Sequence, residues 1–75
     1  MLGKLVLVKN VTPPRFSMLE HSTGIWYYVP NNYIGIVTDF AYGGETNDWF
    51  EIDLLIKGKI LYFSGRFFVN YFKVI

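Results

Sequence analysis

Cysteine is missing from these 75 residues, and histidine occurs once, at His21. Disulfide staples and thiolate metal sites are thereby excluded, and cysteine usage says nothing of the redox compartment. The usual members of a nucleophile–base pair are equally scarce: Glu20 adjoins the lone histidine, but successive residues of a strand point to opposite faces. Proline is confined to Pro13, Pro14 and Pro30, so each marks a break in the chain. No apolar run approaches the ~20 residues of a membrane helix. The apolar start, residues 2–8, is interrupted by Lys4, is too short for a secretory leader and lacks a small-residue cleavage site. An excess of one charge is also lacking. Seven basic and six acidic residues leave a net charge of +1, which excludes a strong global pull toward nucleic acid or an acidic membrane. Length is short too. The chain, residues 1–75, is expected to be one domain, and a domain of this size buries only about 60% of the surface its unfolded form exposes.

Aromatics fill the gap that these absences leave. Two Trp, six Tyr and seven Phe make up 20% of the chain. Each can bury roughly 150–250 Å², so together they can supply a core and still exceed what so small an interior hides. The surplus predicts a contact face. Charge is segregated along the chain: Lys4, Lys9 and Arg15 near the start, Asp39, Glu45, Asp48, Glu51 and Asp53 in the middle, and Lys57, Lys59, Arg66 and Lys73 near the end. Pairing of the two chain ends would gather their bases on one side.

Periodicity predicts an all-β chain. Residues 1–8 read as a first strand, with Leu5 and Leu7 on one face and Lys4, Val6 and Val8 on the other, ended by Pro13-Pro14. Residues 15–29 form a long excursion folding back on itself around Glu20-His21-Ser22-Thr23-Gly24. A β-branched and aromatic run over 33–40 is the next strand, with Gly35 as a bend, and Gly43-Gly44 mark 41–48 as an exposed connection. Phe50, Ile52, Leu54 and Ile56 alternate with polar residues before Lys57-Gly58, and Lys59-Ile60-Leu61-Tyr62-Phe63 returns, so 49–64 is a β-hairpin. Residues 65–70 suit a 3₁₀ turn, and 71–75 a closing strand.

The register of that hairpin decides which side chains face outward. A two-residue Lys57-Gly58 turn pairs Ile56 with Lys59 and sets a charge on the apolar face. A three-residue loop pairs Leu55 with Lys59 and avoids this. The second register is therefore expected, with Ile60 and Tyr62 inward and Leu55, Leu61 and Phe63 outward.

Gly35-Ile36-Val37, Trp49-Phe50-Glu51-Ile52, Gly58-Lys59-Ile60 and Phe72-Lys73-Val74-Ile75 together resemble small SH3-like proteins encoded by marine bacteriophages. The resemblance covers residues 35–75. It implies a five-stranded SH3-like barrel with a long first loop and a short 3₁₀ turn before the last strand. It also implies a phage origin, and with it a place in the host cytoplasm or the virion, but no defined activity. Gly65 to Tyr71 is similar to the stretch before the last strand of peptide-binding SH3 domains. Phe68 stands where those have proline, and the tyrosine pair of their groove is missing from the first strand, so polyproline binding is not implied.

Neither catalysis, nor a cofactor, nor a metal site is expected. Asp39, Glu45 and Asp48 lack the ligand spacing that calcium needs. Gly43-Gly44 lacks the lysine and helix of a phosphate loop. The expectation is a non-catalytic protein–protein interaction module that self-associates, with Trp49, Leu55, Leu61 and Phe63 as anchors. The alternative is a small nucleic-acid-binding barrel. There Tyr27, Tyr28, Tyr33 and Tyr71 would stack on bases, and Lys4, Lys9, Arg66 and Lys73 would meet phosphates.

Overall fold

A computed structural model of the chain describes residues 1–9, 17–45 and 48–75. These residues form seven strands: β1 (Leu5–Val8), β2 (Ser17–Glu20), β3 (Ile25–Tyr28), β4 (Ile34–Gly43), β5 (Trp49–Ile56), β6 (Lys59–Arg66) and β7 (Phe72–Val74). A 3₁₀ turn, Phe68–Asn70, precedes β7. All strands belong to one antiparallel sheet in the order β3-β2-β6-β5-β4-β1-β7. Among the described residues no helix is long and apolar enough to cross a membrane. The fold is all-β.

Seven strands replace the five expected because the excursion is itself a hairpin. Ser17↔Tyr28 through Glu20↔Ile25 pair its two arms, and Leu19↔Tyr62 joins it to β6. The proline pair Pro13-Pro14 and the base Arg15 lie outside the described residues. β4 also runs past Phe40 to Gly43. The first half of β5 offers Trp49, Phe50 and Glu51 as ladder partners for Gly43, Tyr42 and Ala41, and an available ladder outweighs the low strand preference of glycine.

Alternation along β5 is strict: Phe50, Ile52, Leu54 and Ile56 are buried. On β4, Gly35 and Val37 face inward while Ile34 and Ile36 face out. A bulge between Val37 and Asp39 adds one residue and reverses the alternation, so Phe40 turns back to the core side. There it stacks on Phe50 at 6.4 Å between ring centroids and meets Phe68 edge-on at 5.6 Å. Val6, Val8, Met18, Val29, Leu61 and Phe72 complete the buried set. The molecule measures 32 × 26 × 24 Å. A smallest extent of 24 Å is too thick for a flat sheet, given about 10 Å between stacked layers. The sheet curls around its aromatic core.

The β5–β6 hairpin takes the two-residue turn, not the three-residue loop. Ile56 pairs with Lys59, Leu55 with Ile60 and Leu54 with Leu61. Lys57 and Gly58 have φ of 51° and 79°, and two successive positive values define a type I′ turn, whose twist matches the strands it joins. The expected cost of Lys59 on the inner face does not arise. It sits at the rim, half-buried, with its ammonium 5.0 Å from the centre of the Tyr27 ring, so the stem covers apolar surface and the charge escapes.

Candidate functional site

The turn decides the outer face. Shifting the register by one residue exchanges every side chain of β6 between faces. Leu61, expected outside, is 3% exposed and belongs to the core. Phe63 is half-buried, with ring centroids 4.9 Å from Tyr71 and 5.9 Å from Phe50. Neither forms an outer anchor. Trp49 and Leu55 do face outward, but six residues of extended strand set them about 20 Å apart, with Glu51 and Asp53 between.

An apolar row that the expected register did not foresee lies around Leu55. Leu5 pairs with Ile36, Ile36 with Leu55, and Leu55 with Ile60. These four stand side by side across β1, β4, β5 and β6, between 37% and 52% exposed. Ile75 prolongs the line, since its amide donates to the Leu5 carbonyl at 3.0 Å and its side chain is exposed. The signal was present in the sequence. Ile34 and Ile36 share one face of a strand whose other face holds Gly35 and Val37, and one face must be the core.

Beside the row lies an acidic strip. Asp39 and Asp53 are direct cross-strand partners, an arrangement of like charges that destabilises a sheet. Asp53 has a carboxylate oxygen that is buried and unpartnered. Burial first and then the Asp39 carboxylate push its pKa above the ordinary aspartate value, with His21 pulling the other way and Glu51 adding the least. The Tyr62 hydroxyl donates to Glu51 Oε1 at 2.8 Å, and the His21 ring lies 4.7 Å from that of Tyr62. A dent of about 70 Å³ separates these side chains. Among the described residues, no three acidic or histidine side chains are grouped so as to hold a metal ion.

The second concave feature is a cleft of about 210 Å³ between the end of β3 and the β5–β6 turn. Tyr27, Tyr28 and Tyr33 line it with Lys57 and Lys59, above a floor of Val29, Ile56 and Leu61. Lys57 Nζ donates to the Tyr33 hydroxyl at 3.0 Å and lies 4.5 Å from the centre of that ring. Three of the four tyrosines expected to stack are thus brought together, without Tyr71, and the expected bases do not line the cleft. Lys9 Nζ donates to the Val69 carbonyl at 2.6 Å. Arg66 faces Asp48 at 3.7 Å. Lys73 pairs across from Leu7 in the β1–β7 ladder, and Lys4 is exposed at the start of β1. Tyr71 packs against Phe63 and Phe50. The lysines of the cleft come from the β5–β6 turn and the first residue of β6, positions that the sequence pattern did not join to the tyrosines.

No protein family, curated protein or solved structure matches this chain. The geometry alone carries the functional argument.

Proposed function

We propose that this chain is a non-catalytic interaction module that self-associates through the outer face of its sheet. The observation that carries this reading is the row Leu5–Ile36–Leu55–Ile60, four large apolar side chains left in solvent on adjacent strands. Scattered exposed hydrophobes need no explanation, but a contiguous patch on a small protein marks a contact surface. A chain this short also gains from association what it lacks in core. The acidic strip beside the row supplies a polar margin, as association surfaces commonly have.

The arrangement of elements supports a finer reading of the fold as an SH3-like barrel. A first strand is followed by a hairpin excursion, three successive antiparallel strands, a 3₁₀ turn and a last strand that returns beside the first. The curl of the sheet supports the same reading. A phage origin has the resemblance of the sequence as its support. Nucleic-acid binding through the basic chain ends is less favoured, because Lys9 and Arg66 are engaged within the molecule.

Light scattering coupled to size-exclusion chromatography tests the reading. The wild type is expected to run as an oligomer, and Ile60→Lys as a monomer of unchanged fold by circular dichroism. A monomeric wild type at high concentration would refute it.

A further inference from the structure

The tyrosine–lysine cleft is distinct from the apolar row, and its chemistry points to a different ligand. We propose that it binds base–phosphate units of a single-stranded nucleic acid, with tyrosine rings as stacking surfaces and Lys57 and Lys59 as phosphate partners. Three observations support this. First, the cleft joins aromatic walls to two cations, and a base carrying a phosphate needs both. Second, at about 210 Å³ it is smaller than the ~300–1,000 Å³ pockets that enclose drug-sized ligands, so it suits one planar ring at a time rather than a whole buried molecule. Third, both ammonium groups already rest against rings, Lys57 on Tyr33 and Lys59 on Tyr27. Such contacts are worth about 0.5–1 kcal/mol at exposed sites, enough to hold the lysines at the cleft and too little to keep them from a phosphate. Glu20 accepts from the Tyr27 hydroxyl at 3.4 Å, and Glu20 and Asp53 share an adjoining hollow with Lys59. These acids limit affinity and make a free phosphate alone a poor ligand.

Tyr28, 55% exposed, is the ring whose removal disturbs the core least. The test is fluorescence anisotropy of a labelled oligothymidylate with the full chain over a range of salt concentrations. Binding is expected at low salt, with log K falling against log salt at a slope of about −1.4, from about −0.7 for each of two phosphates. Lys57→Gln with Lys59→Gln should weaken binding and flatten the slope. Tyr28→Ala should cost about fivefold or more with the slope retained, as expected for a lost stack. Lys4→Gln with Lys73→Gln should change neither. Circular dichroism melts of each variant exclude unfolding as the cause. No binding at low salt overturns the proposal, as does a lysine-pair variant that binds like wild type. Thymidine monophosphate competing as well as the oligonucleotide would assign the cleft to a free nucleotide and overturn the polymer. Binding retained in monomeric Ile60→Lys would show the cleft working independently of association.

Discussion

Gly35 shows how closely single atoms decide this fold. A methyl group built there would lie 2.8 Å from Ile56 Cγ1 and 3.2 Å from Leu54 Cβ. Its backbone is ordinary, so the constraint is space. Gly35→Ala should destabilise by about 1–3 kcal/mol in urea unfolding, and because Ile56→Ala removes the crowding Cγ1, the double variant should cost less than the sum of the two single changes. Asp53 offers a prediction in pH. Its carboxyl group holds a proton more tightly when folded, because of burial and the facing Asp39. Stability from this group is therefore greatest in acid and falls as pH rises from its unfolded value through its higher folded one. Asp53→Asn should raise the melting temperature at neutral pH, and the gain should vanish toward acid. A gain that grows in acid would contradict the assignment.

At the scale of elements, the Lys57-Gly58 turn sets the register and can be tested as such. Lys57 holds φ 51°, a region that costs a residue with a side chain about 1–2 kcal/mol. Asn tolerates it better and is favoured before Gly in this turn. Lys57→Asn should stabilise by up to about 1 kcal/mol, whereas Gly58→Ala should destabilise by a similar amount. The hairpin, the 3₁₀ turn and the first and last strands were legible in the sequence because each rests on local alternation or local turn chemistry. The register was not. It turned on whether Lys59 would be stranded on the apolar face, and only the distant Tyr27 ring resolves that. The bulge at Thr38, held by its hydroxyl donating to the Asp53 carbonyl at 3.3 Å, and the Leu19↔Tyr62 junction also depend on partners far along the chain. Of the candidate site, Trp49, Leu55 and the tyrosines were legible. Ile60 was hidden by the misplaced register, whereas the outward facing of Ile36 was open to reading from Gly35 and Val37 on the opposite face.

For the whole molecule, two neighbouring leucine and isoleucine positions should behave oppositely. Ile60→Lys places a charge on the exposed row and should change the oligomeric state while leaving the melting temperature within a few degrees. Leu61→Lys buries that charge without a partner in the core and should prevent folding. Equal effects from the two, measured by light scattering and thermal denaturation, would refute the observed hairpin register together with the face it creates.

The two borders of the sheet are unlike. β7 is three residues long and carries Lys73 at its centre, two devices that discourage an incoming strand. β3, whose sequence Ile25-Trp26-Tyr27-Tyr28 bears no charge, pairs only with β2 among the described residues. Any lateral extension would thus proceed from one side. Two molecules meeting edge to edge there would turn their blunted β7 borders outward, so strand-by-strand extension would stop at a pair, closed off by the shortness of β7 together with its central Lys73.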